Sequence, residues 1–242
     1  MIKLERSEAP EKLTADFIRE GVRQFKETKK SVWNVSWLKE ALLNQSHRKC
    51  AYCEGKLGEK SEYMEVEHFK DKSDYPDDVL TWDNLLPSCK HCNGHKSNHD
   101  VVKEPIVNPF VDEPKAHLGL HHYLYKGKDE KGKATISVLD LNDSEQLVVV
   151  RFKVGAAINQ ELEERLEEIE SGFSNQRARS RFRNKMLKLM KACLPEAEYS
   201  AVCATELVTS SEYKDIVERM KAEEIWNEEF ESMNQKIASI AM

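Results

Sequence analysis

The positions of apolar residues divide the chain into helical and non-helical stretches. Apolar residues recur with helical spacing in residues 13–28 and again in residues 36–45, which predicts two N-terminal helices. Residues 134–139 instead alternate between apolar and polar side chains, which predicts a strand in a small β-hairpin. Two prolines and an asparagine in residues 106–114 predict a stiff connector before that hairpin.

The last third of the sequence is predicted to be helical and changes its charge along its length. Residues 156–171 place apolar side chains on one stripe and carry mostly glutamates around it. Residues 176–191 contain seven basic residues and no acidic one, beside an apolar face of their own. Residues 211–237 predict one final acidic helix. Together these elements predict a mostly helical α+β protein.

The basic segment at 176–191 has two interpretations. Its side chains can follow a phosphate backbone and bind nucleic acid, with Arg177, Arg181 and Lys185 as candidate contacts. Alternatively, the segment pairs with the acidic helix that precedes it. The sequence leaves both interpretations open.

Composition and charge limit what the chain can bind without help. The 242 residues are 33% charged and carry a formal net charge of −6. Binding of nucleic acid depends on clustered lysine and arginine, so we expect either one basic face or a partner that supplies the contacts. No apolar run approaches the roughly 18 residues of a membrane span, and the N-terminus shows no apolar signal region, so we expect no membrane partner.

Four cysteines form two Cys-x-x-Cys pairs, Cys50 with Cys53 and Cys89 with Cys92. Each pair can place two thiolates on one metal ion, and two pairs make a closed tetrahedral four-cysteine site for Zn²⁺. A closed site has no open position for chemistry, so we predict a structural zinc that joins two distant segments. The alternative is two unrelated thiol pairs or a redox dithiol. Thiols with this spacing, without a secretory signal, are typical of a reducing cytoplasm, where we expect the protein.

Residues suited to phosphodiester hydrolysis lie between and after the cysteine pairs. Such hydrolysis needs a base that activates water and a cation that takes up negative charge. His68 is the candidate base, because the ordinary pKa of histidine lies near about 6.5. Glu67 and Asn93 offer oxygen ligands, which suit Mg²⁺ or Mn²⁺. Asn93 directly follows Cys92, so the zinc would fix where this ligand points.

The residues Glu67-His68, Asn84 and Cys92-Asn93, framed by the cysteine pairs, resemble the site of the HNH (ββα-metal) endonucleases whose structural zinc is bound by four cysteines. The resemblance implies a two-stranded hairpin followed by a helix, wrapped around one catalytic divalent ion. It implies that His68 is the general base and that Glu67 and Asn93 bind the metal. It also implies that Asn84 braces the loop that carries the histidine.

Neighbouring residues leave alternatives open. The last histidine of the family name has three candidates, none of which the sequence selects: His95, Lys96 and His99. Lys96 can contact phosphate or be a solvated helix residue. Glu65 is expected to be a strand neighbour and not a ligand. Because successive strand residues face opposite sides, Glu67 and His68 converge only at a strand end or a bulge.

Further segments resemble one subfamily, the nuclease subunits of Septu-type and retron-associated bacterial anti-phage systems. These segments are Met1-Ile2-Lys3-Leu4 with Ala9-Pro10, Cys50-Ala51-Tyr52-Cys53-Glu54, Val66-Glu67-His68-Phe69, Asn108-Pro109 through Asp112-Glu113-Pro114, and Leu139-Asp140-Leu141-Asn142. The resemblance implies an effector in a complex with a PtuA-like ABC/SMC-type ATPase, which restrains or licenses cleavage. The C-terminal helices would then be a docking surface. Whether the substrate is DNA or tRNA or other RNA stays open.

These predictions combine into one division of the chain. We expect an N-terminal helical segment (1–48), an HNH nuclease core (49–105), a connector with a small β-hairpin (106–150) and a C-terminal helical region (151–242). Two other functions remain possible at this point. One is a zinc-stabilised nucleic-acid-binding or scaffold module without turnover, and the other is a solitary restriction or homing-type HNH enzyme, against which the net negative charge argues.

Overall fold

The computed structural model of the chain describes residues 1–58 and 63–242, which fall into two compact units. The first unit contains Met1–Gly119 and Tyr125–Asp143, and the second contains Leu120–Leu124 and Ser144–Met242. The predicted α+β class is confirmed, because the described residues are mostly helical and form two small two-stranded sheets. None of the described helices has the length and apolar character needed to cross a membrane.

Two helices open the first unit where the sequence predicted them. Helix α1 spans Ala15–Thr28 and helix α2 spans Ser36–Gln45. The hydroxyl of Thr14 accepts a hydrogen bond from the backbone N–H of Phe17 at 3.2 Å, which begins α1. Lys29 has a φ of 58°, and this left-handed conformation ends the helix.

An antiparallel hairpin and a short helix form the centre of the first unit. Strand β1 (Glu65–His68) pairs with strand β2 (Leu85–Ser88), and helix α3 (Lys90–Lys96) follows directly. The sulfur of Cys89 accepts a hydrogen bond from the backbone N–H of Cys92 at 3.4 Å, which begins α3. This strand–strand–helix order is the ββα core that the HNH resemblance implied.

The first ten residues form an extended segment bound to later parts of the first unit. The backbone N–H of Leu4 donates to the carbonyl oxygen of Pro109 at 2.8 Å. The guanidinium of Arg6 donates to the carbonyl oxygen of Leu85 at 3.0 Å and lies 3.7 Å from the ring centre of Phe110. The segment therefore joins β2 to the connector that follows α3.

The predicted strand at 134–139 is wrong, because residues 134–138 belong to a helix and the second hairpin lies earlier. The elements of this region are α4 (Pro114–His117), β3 (Leu118–His121), β4 (Leu124–Gly127) and α5 (Glu130–Val138). Asp129 begins α5 by accepting a hydrogen bond from the N–H of Gly132 at 2.7 Å. Inside the helix, the hydroxyl of Thr135 donates to the carbonyl oxygen of Lys131 at 2.7 Å. The β-branched side chains that suggested a strand are therefore accommodated by an N-cap and an internal hydrogen bond.

The second unit is a group of helices around one apolar core. Its helices are α6 (Val149–Glu170), α7 (Gln176–Lys191), α8 (Ser200–Thr209), α9 (Ser211–Ala222) and α10 (Glu228–Ile240). The core includes Leu162, Phe182, Met186, Ile216, Phe230 and Ile237. The predicted single helix at 211–237 is wrong, since Asn227 begins a new helix by accepting a hydrogen bond from the N–H of Phe230. Helix α8 was not predicted, because it is buried along most of its length and has no amphipathic pattern.

Candidate active site

The four cysteines of the two pairs converge in the first unit. Their sulfur atoms all lie within 4.8 Å of one another, and the Sγ atoms of Cys53 and Cys89 are 3.7 Å apart. Zn–S bonds of about 2.3 Å place neighbouring sulfurs of a tetrahedral site about 3.8 Å apart. All of these thiols are free, and three of the four are buried. The cluster therefore fits the predicted structural zinc.

His68 is the last residue of β1, and its imidazole is enclosed by the first unit. The residue is 3% exposed, and its Nε2 atom lies 3.1 Å from the carbonyl oxygen of Val79. Because a carbonyl oxygen only accepts hydrogen bonds, Nε2 carries the hydrogen and the lone pair of the neutral ring lies on Nδ1. The ring of Trp33 packs edge-on against the imidazole, with ring centres 4.3 Å apart. The backbone and Trp33 thus fix both the tautomer and the orientation of the ring.

Burial also determines the charge of this histidine. Loss of solvent lowers the pKa of His68 to about 4, while the hydrogen bond to the carbonyl of Val79 opposes this shift. The imidazole is therefore neutral at physiological pH, and Nδ1 is available as a proton acceptor.

The side chain of Asn84 holds the loop that follows His68. Its Oδ1 accepts from the N–H of Lys70 at 2.7 Å, and its Nδ2 donates to the carbonyl oxygens of Lys70 and Asp78 at 3.1 and 3.2 Å. Its own carbonyl oxygen accepts from the N–H of Phe69 at 2.9 Å. The side chain of Asn84 therefore holds both ends of the loop, Lys70 and Asp78. Asp78 directly precedes Val79, whose carbonyl contacts His68.

Glu67 faces helix α3, where it contacts Lys96. Its Oε1 atom lies 2.6 Å from Nζ of Lys96, which also donates to the carbonyl oxygen of His68 at 2.9 Å. Burial raises the pKa of Glu67 to about 7, although the ammonium of Lys96 opposes this shift. From the sequence, Lys96 was expected to contact phosphate or solvent. Its ammonium is instead buried against Glu67, because a buried carboxylate needs a counter-charge.

Asn93 lies one helical turn before Lys96 on α3 and contacts the other end of β1. Its Nδ2 donates to Oε2 of Glu65 at 2.6 Å, which leaves its Oδ1 as the atom that can bind a cation. Glu65 was expected only as a strand neighbour. The sequence did contain a signal for the contact between Glu65 and Asn93. Residues two apart lie on the same face of a strand, and residues three apart lie on the same face of a helix. Glu65 and Glu67 share a face of β1, Asn93 and Lys96 share a face of α3, and each glutamate contacts one of these two helix residues.

The oxygens on this face of β1 and α3 fit a hard divalent cation. Oε1 of Glu67 is buried, and its described charged partner is the ammonium of Lys96 at 2.6 Å. Carboxylate and amide oxygens are the ligands that Mg²⁺ and Mn²⁺ prefer. Glu67 and Asn93 are therefore the residues that would hold the ion, and Glu65 orients the amide of Asn93.

The three candidates for the last HNH histidine lie in different surroundings. Among them, only Lys96 contacts Glu67 in the part of the chain that is described. His95 lies near Asp140, with Nε2 and Oδ2 3.9 Å apart. Nε2 of His99 lies 2.8 Å from the carbonyl oxygen of Glu104.

The candidate nucleic-acid contacts Arg177, Arg181 and Lys185 lie on α7, in the second unit. Arg177 and Arg181 are exposed, and neither has an ion-pair partner within residues 1–58 and 63–242. Lys185 pairs with Glu168 of α6 at 2.9 Å. Both interpretations of the basic segment therefore have support: Arg177 and Arg181 are exposed, and Lys185 pairs with the preceding acidic helix.

Comparisons with known proteins agree with this geometry. Residues 50–99 match the HNH endonuclease family. The Septu protein PtuB of Bacillus thuringiensis is 41% identical over 237 residues, which cover 96% of this chain and 92% of that protein. The Septu protein PtuB of Bacillus mycoides (strain KBAB4) is 30% identical over 154 residues, which cover 50% of this chain and 52% of that protein. The chain therefore belongs to the PtuB family of Septu proteins and carries an HNH endonuclease domain.

Proposed function

We propose that this protein is a metal-dependent HNH endonuclease that hydrolyses phosphodiester bonds of nucleic acid. The observation that carries the proposal is the hydrogen bond between Nε2 of His68 and the carbonyl of Val79 at 3.1 Å. It leaves a neutral imidazole with its lone pair on Nδ1, beside a strand face that offers oxygen ligands for a cation. A scaffold module without turnover would not need a histidine held in one tautomer inside the protein.

In this mechanism, Nδ1 of His68 takes a proton from water while the water oxygen forms a bond to phosphorus and the bridging P–O bond breaks. Asn84 holds the loop so that the imidazole keeps its position, and Trp33 restricts rotation of the ring. A divalent cation held by Glu67 and Asn93 would neutralise charge on the phosphate and the leaving oxygen. The zinc of the four-cysteine cluster would hold α3, and with it Asn93, against β1.

The direct test is a cleavage assay with the purified chain. Plasmid DNA and total tRNA are incubated separately with Mg²⁺, with Mn²⁺ and with EDTA. We expect metal-dependent cleavage, and the substrate that is cut decides between DNA and RNA. If both substrates stay intact, the assay is repeated with the ATPase that co-purifies from the native host. Intact substrate in that complex would contradict the proposal and favour a non-catalytic module.

The raised pKa of Glu67 predicts that binding of Mg²⁺ depends on pH. Below a pKa of about 7 the buried carboxyl holds a proton, which a cation must displace. The affinity for Mg²⁺ should therefore fall as the pH is lowered from about 7 to about 5.5, by up to about tenfold per pH unit. Isothermal titration calorimetry with Mg²⁺ measures this, and Glu67→Gln should bind weakly at every pH. An affinity that is constant over this range would contradict the role of Glu67.

We also propose that the protein is the effector subunit of an anti-phage defence complex with a PtuA-like ABC/SMC-type ATPase. The membership of the PtuB family and the net charge of −6 support this, since the chain has little excess of basic side chains for holding nucleic acid unaided. Co-expression with the ATPase tests it. Failure of the two proteins to co-purify would contradict the complex.

Within that function, Arg177, Arg181 and Lys185 are proposed to contact phosphate groups. Arg177→Gln combined with Arg181→Gln should weaken binding of nucleic acid and lower the slope of log K against log salt by up to about 2, since each phosphate contact contributes about 0.9. Arg183→Gln is the matched control, because that arginine already pairs with Glu229 at 2.5 Å. Fluorescence anisotropy at several salt concentrations measures the slope. Equal slopes for the double variant and the control would contradict the contact.

A further inference from the structure

A second group of metal-binding side chains lies on another face of α3. His91 and His95 are four residues apart, and one ring nitrogen of each lies within 4.8 Å of a carboxylate oxygen of Asp140 and of the other histidine. The ring centres of the two histidines are 4.3 Å apart. Residues two apart on a helix point about 200° apart, so His91 and His95 face away from Asn93. The group is therefore separate from the candidate active site.

The ring of His91 is held in a way that leaves one nitrogen for a ligand. Its side chain is 9% exposed, and its Nε2 lies 3.2 Å from Oδ2 of Asp143. Its Nδ1 is buried and has no hydrogen-bond partner among the residues that the structure describes. Buried polar atoms are nearly always paired, so an orphaned imidazole nitrogen needs an explanation. A carboxylate on one ring nitrogen and a metal on the other is the usual arrangement of a metal-binding histidine.

We propose that His91, His95 and Asp140 form a second metal site, for Zn²⁺ or a similar divalent cation, and that Asp143 orients His91. Two imidazoles and one carboxylate suit Zn²⁺, whereas Mg²⁺ prefers oxygen ligands alone. Three protein ligands leave one position for water or another molecule.

Modest side-chain movement would complete this site. Zinc bonds of about 2.0–2.1 Å require ligand atoms about 3.4 Å apart. Nε2 of His95 and Oδ2 of Asp140 are now 3.9 Å apart, and both side chains are partly exposed, at 39% and 51%. Rotation of these two side chains can therefore close the site around the buried His91. A bound ion would then connect α3 to the segment 139–143.

Equilibrium dialysis at fixed free Zn²⁺ tests the proposal, with bound zinc measured by mass spectrometry. The proteins are the wild type, His95→Ala, Asp140→Asn and the control His99→Ala, whose histidine lies outside the group. We expect the wild type and the control to hold one zinc equivalent more than the other two variants. Zinc retained by the four cysteines shows that each variant is folded. Equal zinc content in all four proteins would overturn the site.

Imidazole nitrogen NMR of the wild-type protein provides a second test that does not depend on variants. Addition of Zn²⁺ should shift the ring resonances of His91 and His95 and leave those of His99 in place. Asp143→Asn should weaken zinc binding by about 10–100-fold, since the direct ligands remain. Ring resonances of His91 and His95 that do not respond to Zn²⁺ would overturn the proposal.

Discussion

Cys53→Ser is expected to abolish retention of zinc by the four-cysteine cluster and to unfold the first unit. The cluster joins a turn before β1 to the start of α3, and its sulfurs are close enough for a single ion. Structural zinc contributes about 10–16 kcal/mol to the folding of small zinc peptides, which matches or exceeds the whole stability of a typical domain, about 5–15 kcal/mol. The effect should appear as loss of zinc after a chelator wash and as an early thermal transition in circular dichroism.

The matched control is Cys193→Ala. Cys193 is also a free and fully buried cysteine, but it belongs to the core of the second unit. This variant should keep the cluster zinc and lose only the small packing contribution of one sulfur atom. A Cys53→Ser protein that retains its zinc and unfolds at the wild-type temperature would contradict a structural role for the cluster.

His68→Ala is the second large effect, and it should lower the cleavage rate by about 10²–10⁴-fold, the usual contribution of a general base. Because His68 is not a proposed metal ligand, the affinity for Mg²⁺ should change little. Glu67→Gln should instead lose both Mg²⁺ binding and cleavage. Comparing rate and Mg²⁺ affinity in these two variants separates the base from the ligand.

His99→Ala is the control for the histidine experiment, since that residue contacts Glu104 and not β1. It should cleave at the wild-type rate. The His68→Ala protein should melt at a lower temperature, because the substitution leaves a cavity and removes the hydrogen bond to Val79. Its cluster zinc and its circular dichroism spectrum at the assay temperature should match those of the wild type, which excludes unfolding as the cause. Wild-type cleavage by a folded His68→Ala protein would contradict the mechanism.

The zinc cluster could be predicted because its signal is local in sequence, and the ββα order was implied by the resemblance of the motif residues to the HNH family. A Cys-x-x-Cys pair carries its own turn geometry, and only the pairing of the two turns is non-local. The interaction of Glu65 with Asn93 could also have been predicted, since strand and helix periodicity place both residues on facing sides.

Other parts of the site had no signal in the sequence. The partner of His68 is the carbonyl of Val79, and a backbone atom leaves no trace in the residue type. Trp33 reaches the same ring from the segment between α1 and α2, and an aromatic residue in a connecting segment does not reveal which side chain it contacts. The strand predicted at 134–139 was wrong because the alternating pattern was weighed without the N-cap at Asp129. That N-cap begins a helix that runs through this segment.

The extended N-terminal segment has a consequence for synthesis on the ribosome. Leu4 and Arg6 are synthesised before their partners Pro109 and Phe110, which emerge more than a hundred residues later. At about 5–20 residues per second, the segment waits several seconds before it can take its native place. A nascent chain thus displays the whole nuclease motif before the segment that joins β2 to the connector is in place. A segment that is synthesised before the nuclease motif is therefore fixed after it.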